Sequence, residues 1–130
     1  MTGLLEGKTV IVTGAGGGIG SQAALVLSKA GAKLVLSDVN TASGEEVADS
    51  VVKNGGEAIF VAANLASEEN IDTLVTRAVD HFGRLDGAFN NAGVEQCNKP
   101  LTELSLAEWN RAMTVNLTAV FLCVDRKSTR

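Results

Sequence analysis

The chain has 130 residues, 45% of them apolar, with a net charge of −4 from scattered acids and bases. That balance fits one domain with a real core and argues against disorder, while the absence of a basic stripe argues against nucleic acid as a partner. No run approaches a membrane span, and "MTGLLEGKTV" lacks the basic and apolar regions of a secretory leader, so no membrane partner and a cytoplasmic location are expected.

The first element is "KTVIVTG", a short β-branched run ending in glycine, which reads as a buried parallel strand. Residues 18 to 30 read as a helix stopped by Gly31. "AKLVLSD" is a second buried strand. A helix over Thr41 to Lys53 puts Val47, Ala48, Val51 and Val52 on one face, and Gly55 and Gly56 close it. "EAIFVAA" is a third strand. Ser67 caps the next helix, with Asn70 where a capping box prefers Glu or Gln. Its apolar positions Ile71, Leu74, Val75, Ala78, Val79 and Phe82 form the stripe of a helix lying on a sheet. "LDGAFNN" is a short fourth strand, with Asp86 bracing the turn into it. A loop covers Gly93 to Leu101. One helix then starts at Ser105, turns apolar from Asn116 to Val124, and ends in Asp125-Arg126-Lys127-Ser128-Thr129-Arg130. Alternation of this kind predicts a parallel sheet with helices on both faces.

"VTGAGGGIG" sits where the first strand becomes the first helix. Gly14, Gly17, Gly18 and Gly20 let the backbone turn sharply and approach a pyrophosphate, and the helix that opens at Gly18 and Ile19 offers it a positive end. A tight turn that merely tolerates glycine would look the same, but its place between strand and helix favours phosphate. Asp38 ends the second strand, 18 residues after Gly20. A carboxylate there accepts from the adenosine ribose hydroxyls and repels a 2′-phosphate. Val39 and Asn40 follow, with no Arg or Lys to receive such a phosphate, and Gly17 supplies no cation within the loop. NAD is therefore expected over NADP. The plain alternative for Asp38 is an Asx-turn ahead of the helix at Thr41.

Two further stretches, "NNAG" at Asn90 to Gly93 and "WNRAMTVNLTAVF" in the last helix, make the pattern specific. With "TGAGGGIG" they closely resemble the short-chain dehydrogenases/reductases, over Leu4 to Val124. The resemblance implies a Rossmann-type doubly wound parallel sheet in three αβα layers, ending here after the fourth strand and its following helix. It implies that Gly14, Gly18, Ile19 and Gly20 form the cofactor loop and that Asp38 selects NAD. Asn64 and Leu65 match a pair flanking the adenine that usually begins with Asp; an amide oxygen can still accept from the adenine amino group. Asn91, Ala92 and Gly93 match the segment bordering the cofactor, and Asn90 reads as structural. Asn116 matches the tetrad asparagine that holds the catalytic lysine through a water. The apolar neighbours Val115, Leu117, Ala119 and Val120 predict that it is buried.

Family chemistry moves a hydride between nicotinamide and an alcohol or carbonyl carbon of a small molecule. It uses a tyrosine whose pKa is lowered by a lysine, with a serine polarising the substrate oxygen. This chain contains no tyrosine. The expectation is the NAD-binding part of an oxidoreductase, inactive alone, from a parent that is a homodimer or homotetramer. Residues 1–124 read as that domain, whose fourth strand becomes an exposed sheet edge. Residues 125–130 read as the in-frame translation of a sequencing adapter, GATCGGAAGAGCACACGT, although a basic helix end would also suit the charges. A non-catalytic dinucleotide-binding module is the alternative. An S-adenosylmethionine-dependent methyltransferase is disfavoured by the loop spacing and by NNAG. His81 reads as a surface residue, Trp109 as core or interface, and Cys97 as a loop residue. Cys97 and Cys123 lack metal or disulfide spacing, and no metal site is expected.

Overall fold

The computed structural model describes residues 3–93 and 99–128. Its sheet has four parallel strands in the order β3-β2-β1-β4, with β1 at Thr9–Thr13, β2 at Lys33–Asp38, β3 at Glu57–Ala62 and β4 at Gly87–Phe89. The register sets Thr13 beside Ser37 and Ser37 beside Val61, so β1, β2 and β3 end at a common level. Every residue of β1 is buried, as its continuous apolar pattern requires of a central parallel strand.

The helices α1 (Gly18–Lys29), α2 (Thr41–Lys53) and α3 (Glu68–Phe82) are the crossovers. Alternate residues of β2 point to opposite faces. Leu34 and Leu36 join Val12, Ala24, Ala48 and Val51 beneath α1 and α2. Val35 joins Ile11, Ile71, Leu74, Val75 and Ala78 beneath α3. The result is the doubly wound αβα sandwich expected from the alternation. Val52 departs from the expected apolar face of α2, being 54% exposed, because Ala48 and Val51 already fill the contact with the sheet.

Asn70 completes the start of α3 in an unexpected way. Ser67 Oγ accepts the Asn70 N–H at 3.2 Å, and Asn70 Oδ1 reaches back to the Asn64 N–H at 3.0 Å. The Ser67 N–H is satisfied by Asn64 O instead. The helix start is thereby tied to the loop after β3.

The last helical stretch is not one helix. α4 (Leu106–Met113) is capped by Ser105, whose Oγ accepts the Glu108 N–H at 3.1 Å. A π-helical turn occupies Thr114–Thr118, and α5 runs over Ala119–Ser128. The widened turn rotates the following face, so Ala119 and Cys123 pack against α3. Helix continues past Val124, where the apolar run stops. Arg126 there pairs with Asp72 at 2.6 Å and with Glu68 and Asp125. Trp109 is not core in this chain: it is 45% exposed. His81 is exposed and packs edge-on against Phe82. Cys97 lies outside the described residues. β4 pairs with β1 and leaves Ala88 and Phe89 exposed. No helix among the described residues is long and apolar enough to cross a membrane.

Candidate functional site

The carboxyl ends of β1, β2 and β3 open into a cavity of about 820 Å³. Ligands of open parallel sheets bind at this end, where the crossovers diverge. Gly14, Gly17, Gly18 and Ile19 form one wall, at the junction of β1 and α1. Asp38 and Val39 come from the end of β2, and Asn64 and Leu65 from the loop after β3. Asn91, Ala92 and Gly93, after β4, close the other side. Eleven of the twelve residues expected to hold a cofactor therefore line one space.

Gly20 is the twelfth, and it lies behind the wall. A Cβ there would stand 2.2 Å from Gly14 O and 2.9 Å from Asn91 Nδ2. Its task is to let α1 pack against the loop, the role of a third loop glycine. Gly14 has φ +65°, with Ala92 Cα only 3.0 Å from where its Cβ would be, so both conformation and space call for glycine.

The wall after β4 is fastened to β1. Thr13 Oγ1 accepts the N–H groups of Asn91 and Ala92 at 3.0 and 3.1 Å. The Asn91 side chain donates to Thr13 O at 3.3 Å and Gly14 O at 3.4 Å. Asn91 thus also ties the glycine loop to the sheet.

Local chemistry differs among the helix starts. Asn40, Ser67 and Ser105 each accept a backbone N–H at the start of α2, α3 and α4. The N-cap of α1 is Gly17, which provides no side-chain bond. Gly17, Gly18 and Ile19 at its start line the cavity, and a helix start without a side-chain cap offers partial positive charge suited to an anion.

Asp38 Oδ1 accepts the Asn40 N–H at 3.0 Å, the Asx-turn weighed above, while Oδ2 accepts the Gly16 N–H at 2.9 Å. Asn64 Oδ1 accepts the Ala66 N–H at 3.0 Å.

Asn116 departs from expectation. It is exposed and sits in the π-helical turn. Its neighbours do not bury it, because Leu117 and Phe121 on the adjoining surface are themselves 58% and 66% exposed. It stands beside the cavity rather than in its lining: a Cβ on Gly93 would lie 3.1 Å from Asn116 Oδ1. Asn90 also stays out of the lining.

Arg111 and Val115 line the cavity from α4 and the π-helical turn, and neither was expected there. Arg111 is the only cationic side chain among the described lining residues, as Asp38 is the only anionic one. The four-residue spacing of Arg111 and Val115, one helical turn, is the signal that could have paired them; which way that face points is set by the tertiary fold.

The fold is a domain of the doubly wound α/β class, with its cavity at the carboxyl end of the sheet. The family model described as short chain dehydrogenase matches residues 8–128, and the chain belongs to that oxidoreductase family, whose members bind nicotinamide dinucleotides. It is 42% identical over 120 residues to a 2,5-dichloro-2,5-cyclohexadiene-1,4-diol dehydrogenase of Sphingobium indicum, covering 92% of this chain and 47% of that protein. It superposes on an NAD+-bound xylitol dehydrogenase with a TM-score of 0.93 and 34% identity, over 97% of this chain and 48% of that one. It superposes on a metagenomic short-chain oxidoreductase in complex with NADP with a TM-score of 0.92 and 34% identity, over 96% and 57%. The chain spans about half the length of the curated relatives it matches.

Proposed function

We propose that this chain is the NAD-binding part of an oxidoreductase that moves a hydride between nicotinamide and a small alcohol or carbonyl compound. The observation that carries the reading is the start of α1, which lines the cavity and has no side-chain cap. The cofactor pyrophosphate lies there, over Gly17, Gly18 and Ile19. Asp38 and Val39 take the adenosine ribose, Asn64 and Leu65 the adenine, and Asn91, Ala92 and Gly93 border the nicotinamide half. NAD is preferred over NADP because Asp38, the only acid among the described lining residues, would repel a 2′-phosphate.

Asn116 is assigned as the tetrad asparagine, supported by its Oδ1 lying 3.1 Å from where a Cβ on Gly93 would stand. It acts on no substrate by itself, since its partner tyrosine has no counterpart in this sequence. The 130-residue chain therefore binds the dinucleotide without turning over. The parent works in the cytoplasm as a homodimer or homotetramer, in keeping with the exposed apolar side chains of Trp109, Leu117 and Phe121. We read residues 125–130 as foreign to it on their match to the adapter translation, against a family match that runs to residue 128. Sequencing the source DNA across the Val124 codon tests this: the native frame should continue into a serine and a Tyr-x-x-x-Lys motif.

The chemistry is tested by titrating the chain with NAD+ while recording backbone amide shifts, then adding a panel of alcohols and following NADH absorbance. Shifts clustered at residues 14–19, 64–65 and 91–93, without NADH formation, are the expected result. Shifts elsewhere would sink the site, and NADH formation would sink the claim of inactivity.

A further inference from the structure

Asp38 binds more of the protein than a ribose-selecting carboxylate needs to. Its Oδ2 reaches across to the Gly16 N–H in the glycine loop, 22 residues away in sequence, at 2.9 Å. Its Oδ1 holds the Asn40 N–H at 3.0 Å. Asn40 in turn anchors Ser43: its Oδ1 accepts the Ser43 N–H at 3.1 Å, and its carbonyl accepts the Ser43 hydroxyl at 3.4 Å. Ser43 closes the circuit by contact. A Cβ on Gly16 would meet Ser43 Oγ at 2.4 Å and Asp38 Oδ2 at 3.0 Å. The middle of the glycine loop is thus pressed onto the β2–α2 turn, with one carboxylate bonded to both.

We propose that Asp38 is a positioning residue for the glycine loop, holding Gly16 so that the loop keeps its pyrophosphate-binding shape whether or not a dinucleotide is bound. This rests on the reading that the loop takes the pyrophosphate. It gives Asp38 a second task beside choosing the ribose, and the two tasks predict different ligand dependence. A ribose contact alone is lost equally for adenosine and for NAD+, since both carry that ribose. Charge alone works the opposite way, because removing a carboxylate favours the ligand that carries phosphates. Only loss of loop shape makes NAD+ suffer more than adenosine.

The experiment compares the 130-residue chain with Asp38→Ala and Asp38→Asn. Asparagine keeps an oxygen that can accept the Gly16 N–H; alanine does not. Hydrogen exchange at the Gly16 amide without ligand should accelerate by about tenfold in Asp38→Ala, the scale of one charge-assisted bond, and much less in Asp38→Asn. The NAD+ dissociation constant should rise about tenfold more than that of adenosine in Asp38→Ala, with most of the difference restored in Asp38→Asn. Unchanged Gly16 exchange overturns the proposal, and so do equal losses for the two ligands. If the unsubstituted chain binds neither ligand, the dinucleotide reading fails, and the exchange measurement still decides whether Asp38 positions the loop. Asp38→Ser, whose side chain is too short to reach Gly16, serves if the alanine variant does not fold.

Discussion

The hydroxyl of Thr13, at the end of β1, accepts the backbone N–H of Asn91 at 3.0 Å, from a residue 78 positions later. The same oxygen takes the Ala92 N–H at 3.1 Å. One threonine therefore fixes the segment that forms the far wall of the cavity. Valine has the same shape and no acceptor. Thr13→Val should strand the Ala92 N–H in a largely buried place and take from the Asn91 N–H one of its two acceptors, the other being Phe89 O at 3.0 Å, and cost about 1–3 kcal/mol. Urea denaturation measures it; a loss well under that range would show that the two bonds are dispensable.

The loop glycines divide by task, and alanine substitutions should separate them. Gly20→Ala drives a Cβ to 2.2 Å from Gly14 O, a backbone atom that cannot step aside, and should lower the melting temperature sharply. Gly18→Ala meets nothing within 4 Å and has an ordinary φ, so the fold should keep its stability. Its methyl group would stand where phosphate is proposed to approach, and NAD+ affinity should fall about tenfold or more. Equal melting temperatures for the two variants would contradict this division.

Asp86 braces the entry to β4, as its place in the sequence suggested. Its Oδ2 accepts the Thr9 N–H at 2.9 Å, its own N–H donates to Thr9 O, and Arg84 forms two hydrogen bonds with the carboxylate. The Arg84 hydrogen bonds first, then the Thr9 N–H, hold the Asp86 carboxyl below its ordinary pKa. A depressed folded-state pKa stabilises the fold above the unfolded value of about 4, and the effect fades as pH falls through the lower folded value. Asp86→Asn should therefore melt below the unsubstituted chain at pH 7, and the gap should narrow in acid. A gap that widens on acidification would reverse the assignment.

Arg111 is the one cation among the described residues that line the cavity. Arg111→Ala should weaken NAD+ by about three- to tenfold, through loss of attraction for the pyrophosphate charge, with little change in melting temperature because the side chain is exposed. Calorimetric titration checks the affinity, and an unchanged dissociation constant would remove Arg111 from the site.

What the sequence disclosed and what it hid follow from the range of the forces involved. Strand and helix identities were legible because apolar period and glycine stops are local, as with Leu34 and Leu36 against Val35, or Gly31 at φ +99°. The place of the glycine loop and Asp38 at the cavity was legible because both lie at the carboxyl ends of strands. Arg111 was not, because its approach to the cavity depends on how α4 docks. The exposure of Asn116 was misread for a related reason. Apolar neighbours on a helix predict burial only when something packs on that face, and the π-helical turn sends Ala119 and Cys123 to α3 while Leu117 and Phe121 face outward. The turn itself left no mark among Thr114, Val115 and Asn116 that distinguishes it from α-helix.

The most direct test of the account is calorimetric titration of the 130-residue chain with NAD+ and with NADP+ under the same conditions. The proposed ribose role of Asp38 predicts that NAD+ binds at least about tenfold more tightly, since Asp38 lines the cavity and no lining cation sits on its strand end or in the glycine loop. NADP+ binding as tightly as NAD+, or neither binding, would contradict it.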